Sequence, residues 1–323
     1  MKILITDPTG SIGRKVVAEL LAPEFSVRVL VRDPARLPDR IRRQVDVVCG
    51  PMDDFSTLRQ ALDGVEVMFW RLPLASPFET NVRGYYERAA VAGCRAIHKS
   101  GTPRLVTISA GGNMFARRAG PISALHAMED ILNQSGAAIR HLSCGWFMEN
   151  FLQQAQGICR DGIFSYPMAG DIALPMVAAR DIAEIALRRL VRRDWAGVRN
   201  ISVSGPENLS FNRAAINIGE VLKRPVRYRE VSAEQSFRNL VLSGASVHYA
   251  RGVAAMFAAL GQGILLTNVR NHAPGLSTTL SVWTKSELLP IMAAAGVRTN
   301  SKIDFAAIDE SNAQDQSLFS SGL

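Results

Sequence analysis

The first 150 residues alternate short apolar runs with amphipathic segments, and this alternation restricts the fold more than any other feature of the sequence. Residues 2–6 form an apolar run of the kind buried in a parallel sheet, and residues 11–21 predict a helix. Further strands are predicted at 27–31, 45–49, 65–70, 104–108 and 138–142, with helices at 38–44, 55–62, 79–92 and 122–135. Strict alternation of this kind predicts an α/β fold with a doubly wound parallel sheet and right-handed crossovers.

The pattern changes after residue 150, which suggests how the chain is divided. Residues 1–150 are expected to form a Rossmann-type nucleotide-binding domain, to which a segment at about 172–203 returns with one more helix and strand. Residues 151–171 and 204–299 are expected to form a smaller, mainly helical lobe that binds the substrate. The last residues, 300–323, are polar and rich in serine, and a flexible tail is predicted there.

A glycine-containing loop at residues 6–13 lies directly between the first strand and the first helix. A diphosphate needs close approach to the backbone and free N–H groups, which glycine at 10 and 13 permits. A tight strand-to-helix turn without a ligand remains the alternative. The candidate cofactor contacts in the loop are Thr6, Thr9, Gly10, Ser11, Ile12 and Gly13.

Composition narrows the classes of partner. The chain has 37 Lys and Arg against 29 Asp and Glu, a net charge of +8, but the arginines are scattered, so no nucleic-acid partner is expected. No apolar stretch of about 18 residues occurs, so we expect no membrane partner and a cytoplasmic location. The four cysteines show no metal-type spacing and are expected to be reduced. A small-molecule substrate and a homodimer are the partners considered.

Several short motifs, in order and at consistent spacing, resemble the NmrA-like family of atypical short-chain dehydrogenase/reductases. The matching segments are the loop 6–13, Val31-Arg32-Asp33-Pro34, 50–54, Ile108-Ser109-Ala110, Ser135-Gly136, 146–150, 180–184 and 204–207. The resemblance covers nearly the whole chain and implies an NAD(P)-dependent reductase whose C-terminal lobe closes over the sheet edge.

One position departs from the family pattern. Asp7 stands where the family loop, T-G-A-T-G-x-x-G, has its first glycine. A carboxylate about 5 Å from a diphosphate charge costs about 3 kcal/mol at an effective dielectric near 20. Binding of NADP(H) is therefore expected to be weakened by Asp7. Arg14 and Lys15 are expected to offset part of that charge.

The end of the second strand bears on the type of dinucleotide. Arg32 suits the 2′-phosphate of NADP(H), whereas enzymes that prefer NAD place an acid at this position. A solvated surface arginine is the alternative, and Asp33 beside it keeps that alternative open. Leu72, just after the fourth strand, is included among the cofactor contacts.

The catalytic pair of the wider superfamily, Tyr-x-x-x-Lys, is missing. Pro121 and Leu125 occupy about those positions, and neither side chain can transfer a proton. His126 lies between Ser123 and Glu129 on one predicted helix face. It is a candidate proton donor, or else a histidine with a structural hydrogen bond.

Ser109 and several large side chains complete the candidate site. Ser109 ends the fifth strand, where it either orients a substrate carbonyl or caps the following loop. Trp70 narrows the nicotinamide pocket or stacks on an aromatic substrate, and Arg71 favours an anionic group. The candidate substrate contacts are Trp70, Arg71, Phe147, Met148 and Tyr166.

Three functions are compatible with these residues. The first is an NADPH-dependent reductase of a small, partly apolar carbonyl or enone-like compound. The second is an NADP(H)-sensing regulator without turnover, which the missing catalytic pair favours. The third is a cofactor-independent isomerase or cyclase, in which Asp7 and Trp70 mark a repurposed cleft.

Overall fold

The computed structural model describes residues 1–101, 104–112, 118–266 and 275–294. Its main sheet contains seven strands within these residues, and every neighbouring pair is parallel. The strands are β1 (Lys2–Thr6), β2 (Ser26–Val31), β3 (Asp46–Cys49), β4 (Val67–Trp70), β5 (Arg104–Ala110), β6 (Ala138–Cys144) and β10 (Val198–Val203). Their spatial order is β10-β6-β5-β4-β1-β2-β3. The predicted doubly wound parallel sheet is confirmed.

Helices cover both faces of the sheet. The helices of the chain are α1 (Gly13–Glu19), α2 (Asp39–Arg42), α3 (Phe55–Ala61), α4 (Val82–Ser100), α5 (Pro121–Leu132), α6 (Ala155–Asp161), α7 (Ala179–Val191), α8 (Phe211–Leu222), α9 (Ala233–Leu242), α10 (Val247–Gly261), α11 (Leu280–Trp283) and α12 (Leu289–Ala294). Successive side chains of β1 point to opposite faces of the sheet. Ile3 packs with Val16 of α1 and Ile182 of α7 on one face. Leu4 packs with Ala89 of α4 on the other face. The sheet is therefore buried on both faces.

The strand order places a crevice at one point of the sheet edge. The chain runs outward from β1 through β2 to β3, then returns to the other side of β1 as β4. Ligands of open α/β sheets bind at this reversal, outside the carboxyl ends of the strands. Here the two segments that follow β1 and β4 meet, and both begin with residues selected from the sequence, Asp7 and Arg71.

The C-terminal lobe has its own small sheets and an aromatic core. Strands β7 (Trp146–Phe147), β9 (Leu174–Val177) and β11 (Glu207–Leu209) form one sheet, and β8 (Ile163–Tyr166) pairs with β12 (Arg227–Glu230). Tyr166 stacks between Phe211 and Phe257, with ring centroids 4.9 and 5.4 Å away. Aromatic stacking of this kind gives the lobe a core separate from that of the main sheet.

A part-buried carboxylate, Glu149, connects the lobe to the main sheet. Both oxygens of Glu149 accept the Ala179 N–H at 3.0 Å, at the start of α7, and Trp283 donates its indole N–H to Oε1 at 3.1 Å. Burial raises the pKa of Glu149. Glu287 extends the connection by an ion pair with Lys15 of α1 at 3.1 Å. The segment 275–294 is thus attached to both parts of the chain.

Element bounds differ from the predicted ones most clearly in α4. The sequence predicts a helix over 79–92, but the helix continues to Ser100 and ends at Gly101, whose φ of 67° provides a left-handed cap. Position 93, inside this helix, requires glycine, because a Cβ there would come within 2.4 Å of the Trp70 ring.

The predicted tail, 300–323, lies outside the described residues. Within the described ranges, no helix combines the length and apolar character needed to cross a bilayer.

Candidate functional site

The loop after β1 adopts a conformation that depends on two of its residues. Asp7 has a positive φ of 49°, and the Gly10 N–H donates to the Asp7 carbonyl at 3.1 Å. A Cβ on Gly13 would lie 2.1 Å from that same carbonyl oxygen, so only glycine fits position 13. Aspartate tolerates the left-handed region better than most residues. The turn is therefore retained although Asp7 replaces a glycine of the family pattern.

An ion pair between Asp7 and Arg71 lies over this loop. The Asp7 carboxylate contacts the Arg71 guanidinium, and the two side chains are only 11% and 14% exposed. A Cβ on Gly10 would lie 2.2 Å from Asp7 Oδ2 and 2.8 Å from Arg71 Nη1. The pair thus occupies the space that the second glycine of a dinucleotide-binding loop leaves open. Burial lowers the pKa of Arg71.

Thr6 holds the backbone of Arg71 in place. Its buried Oγ1 accepts the Arg71 N–H at 2.8 Å and lies 2.9 Å from the Arg71 carbonyl oxygen and 3.1 Å from that of Phe69. These bonds connect the ends of β1 and β4 across the crevice. The Thr6 side chain is therefore directed at β4, and in this structure it positions Arg71.

The end of β2 carries an exposed cation, Arg32. Its charge acts on the Tyr85 hydroxyl, whose pKa is raised mainly by burial. The Asp33 carboxylate accepts the Ala35 N–H at 3.0 Å as the cap of a short 3₁₀ turn. Asp33 is therefore engaged locally, and Arg32 is the residue presented at the strand end. Leu72 is buried beside Arg71.

The catalytic candidates lie together at the end of β5. Ser109 is buried, and within the described residues its hydroxyl has no hydrogen-bond partner. His126 Nε2 lies 3.1 Å from the Ala110 carbonyl oxygen, while Nδ1 has no partner in the same part of the chain. Burial lowers the pKa of His126, which favours the neutral ring, and because the Ala110 carbonyl can only accept a hydrogen bond, Nε2 is the nitrogen that donates to it.

The other two residues of the predicted helix face have separate roles. The Ser123 hydroxyl accepts the Ala119 N–H at 2.8 Å, at the start of α5. Glu129 is buried, and its Oε1 lies 3.8 Å from Nδ1 of His141 on β6. Within the described residues, His126 is bonded to the backbone next to Ser109, and the contacts of Ser123 and Glu129 are to Ala119 and His141 rather than to His126.

His141 makes the stability of the chain sensitive to acid. Its Nδ1 lies 2.7 Å from the Thr107 hydroxyl and its Nε2 lies 2.9 Å from Asn133 Oδ1, and burial lowers the pKa of the ring to about 4. A histidine whose folded pKa lies below the unfolded value of about 6.5 contributes full stability above pH 6.5 and loses it as the pH falls towards 4. Between pH 7 and pH 5 we expect a loss of about 2 kcal/mol from this group.

Urea unfolding of the wild-type chain and of His141→Asn at the two pH values measures this loss. The variant lacks the titrating ring, so its free energy of unfolding should fall less than that of the wild type on acidification. Equal losses would mean that a neighbouring group, such as Glu129, compensates the charge on His141.

The large side chains predicted to contact substrate are placed elsewhere. Trp70 is fully buried among α4 and α5, where its indole N–H donates to Met128 Sδ at 3.3 Å, because alternation along β4 turns it towards those helices. Met148 is fully buried in the core of the lobe, where Tyr166 donates its hydroxyl to the Asn150 carbonyl at 3.1 Å. Phe147 is half-buried against the α1 and α7 side. Of the predicted substrate contacts, Arg71 lies at the crevice, whereas Trp70 and Met148 are fully buried in the protein core.

Two features of the site are not apparent from the sequence. One is the pairing of Asp7 with Arg71, which only the strand order brings together. The other is the turn after α10, which lies against the end of β5. A Cβ on Gly112 would come within 2.9 Å of the Ile264 carbonyl oxygen, and one on Gly111 within 3.3 Å of the Leu265 side chain. This turn covers the end of β5 that carries Ser109.

Comparisons with known proteins match the chain to one family model and to relatives named as reductases. The model of the NmrA-like family matches residues 1–270. An NAD(P)H azoreductase of Xenophilus azovorans is 30% identical over 237 residues, which cover 72% of this chain and 78% of the relative. A (4-alkanoyl-5-oxo-2,5-dihydrofuran-3-yl)methyl phosphate reductase of Streptomyces griseus is 31% identical over 232 residues, with the same coverage.

Solved structures show the same fold at lower identity. An NADPH-dependent quinone oxidoreductase of Escherichia coli, in complex with NADPH, superposes with a TM-score of 0.72 at 21% identity. The alignment covers 87% of this chain and 98% of that one. The likeness extends over the sheet and the lobe together.

Proposed function

Because the chain belongs to the NmrA-like family, we propose that it is an NADPH-dependent reductase of a small, partly apolar compound with a conjugated acceptor, such as an enone. The observation that carries the proposal is the loop at residues 6–13, whose Gly13 is required by the Asp7 carbonyl and which lies at the reversal of strand order. The relatives at 30% and 31% identity, both reductases by name, support the reaction class.

The residues of the crevice fit a dinucleotide. Glycine at 13 allows the tight turn of the loop, and Arg71 places a cation above Gly10, where a diphosphate would approach. The Asp7 carboxylate shares this space, and Arg71 compensates its charge. Arg32 would hold the 2′-phosphate, because Asp33 is engaged with Ala35 and does not compete for the ribose.

The chain itself would orient the acceptor and stabilise the charge that develops on it. Bound NADPH supplies the hydride. Ser109 lies near the carboxyl end of β5, at the sheet edge where ligands of open α/β folds bind, and within the described residues its buried hydroxyl has no partner. We therefore assign to Ser109 the donation of a hydrogen bond from Oγ to the electron-accepting oxygen or nitrogen. His126 holds the end of β5 through Ala110 and is a positioning residue.

The missing Tyr–Lys pair determines which acceptors are suitable. Reduction of a saturated ketone creates a strongly basic alkoxide, which needs a general acid. Addition of hydride to an enone, a quinone or an azo compound creates a delocalised anion that is less basic, so water suffices as the proton source. The azo and dihydrofuranone groups in the names of the two relatives belong to this conjugated class.

NADPH oxidation in the presence of a panel of acceptors tests the proposal. We expect turnover with a quinone, an azo dye or a conjugated enone, and none with a saturated ketone of similar size. Tight NADPH binding without turnover of any conjugated acceptor would favour the sensing function instead.

Replacing Ser109 by alanine tests its role. We expect kcat to fall about 30-fold, since a hydrogen bond to developing charge is worth about 2 kcal/mol, while the Kd for NADPH stays unchanged. Ser143→Ala is the matched control, because Ser143 faces Ser109 on the next strand and its buried hydroxyl also lacks a partner in the described residues. Equal rates for the two variants would remove Ser109 from the mechanism.

A further inference from the structure

The guanidinium of Arg71 is largely enclosed by protein, with its side chain 14% exposed, and it has fewer partners than it can use. It carries five N–H donors. Among the described residues, the Asp7 carboxylate is its only hydrogen-bonding or ionic partner. A largely enclosed cation with donors to spare is suited to contact an anionic ligand.

The location of the pair indicates what kind of ligand is missing. Both side chains reach the space above Gly10, which lacks a Cβ, at the reversal of strand order. Thr6 fixes the Arg71 backbone there, so the guanidinium remains near the loop when its partner changes. A planar guanidinium with free donors matches the oxygens of a phosphate group.

We propose that Arg71 is the diphosphate-binding cation of this chain and that Asp7 holds it in position until a dinucleotide binds. The inference rests on the proposed function, because it concerns the same crevice. On binding, the guanidinium turns its free donors to the diphosphate and continues to neutralise Asp7. Asp7 and Arg71 then form a charge-balanced replacement for the missing first glycine, and removing either one alone has a predictable, opposite effect on affinity.

Four proteins are compared in NADPH titration calorimetry: wild type, Arg71→Met, Asp7→Gly and the double variant. Arg71→Met leaves Asp7 uncompensated beside the diphosphate, so the Kd for NADPH should rise about 100-fold. Asp7→Gly removes the repulsion and suits the positive φ, so the Kd should fall about 10-fold. The double variant should bind about 10-fold more weakly than Asp7→Gly, because it lacks the diphosphate cation.

Adenosine 2′-monophosphate, which has no diphosphate, is the control ligand, and its Kd should be the same in all four proteins. Thermal unfolding checks that each variant is folded. If Arg71→Met does not fold because it leaves the Asp7 carboxylate enclosed and unpaired, the double variant, which has neither charge, still measures what Arg71 contributes.

An identical NADPH Kd for Asp7→Gly and the double variant would overturn the proposal, since Arg71 would then only neutralise Asp7. Binding by Asp7→Gly but not by the wild type would also overturn it, because the pair would then block the site. If none of the four binds NADPH, the proposed function itself fails.

Discussion

Replacing Gly13 by alanine is expected to abolish NADPH binding and to lower the free energy of unfolding by about 3 kcal/mol or more. The added Cβ would lie 2.1 Å from the Asp7 carbonyl oxygen and 3.2 Å from Pro8 Cα, both of which belong to the backbone of the loop. Neither atom can move without changing the turn between β1 and α1. We expect the Kd for NADPH to rise by at least about 100-fold, measured by titration calorimetry, with urea unfolding for the stability.

Gly101→Ala is the matched control for this variant. Gly101 has a positive φ of 67°, and among the described residues other than its chain neighbours no heavy atom lies within 4 Å of its would-be Cβ. Its replacement should cost about 1 kcal/mol of backbone strain and leave the Kd for NADPH unchanged. A Gly13→Ala protein that binds NADPH like the wild type would exclude the loop as the nucleotide site.

Changing Arg32 to glutamate is expected to reverse the preference between the two dinucleotides. The substitution removes a charge-assisted bond to the 2′-phosphate, worth about 2 kcal/mol, and adds a repulsion. We expect the Kd for NADPH to rise at least about 100-fold. The Kd for NADH should stay the same or fall, since a carboxylate at the strand end suits ribose hydroxyls.

Arg42→Ala is a suitable control for the loss of positive charge near this end of the sheet. Arg42 is exposed on α2 and pairs with Asp39, three residues earlier. Its loss should change neither Kd by more than about 2-fold, because exposed ion pairs contribute little. If Arg32→Glu weakens NADPH and NADH equally, Arg32 does not contact the 2′-phosphate.

The sequence predicts the sheet and the loop well because both depend on local patterns. Apolar runs of four to seven residues separated by helical periodicity leave few alternatives to a parallel sheet, and glycine at 10 and 13 follows directly after the first run. At position 13 the structure gives a steric reason for glycine, since the Asp7 carbonyl leaves no room for a side chain.

The side chains around the crevice are less predictable because they depend on orientation and on distant segments. Trp70 and Arg71 are adjacent in sequence, yet the pleat of β4 buries the first among α4 and α5, while Thr6 directs the second to the loop. Counting the alternation along 67–70 identifies the face of Trp70, because Met68 and Trp70 face the same helices. No local pattern pairs residue 7 with residue 71, because that contact depends on which strand lies beside β1.

A crystal structure of the chain grown with NADP⁺ at millimolar concentration tests the central claim most directly. We expect the diphosphate over Gly10 within hydrogen-bonding distance of the Arg71 guanidinium, and the 2′-phosphate beside Arg32. A structure in which the crevice holds no nucleotide, with the Asp7 carboxylate still over Gly10, would contradict the claim and leave only the fold assignment standing.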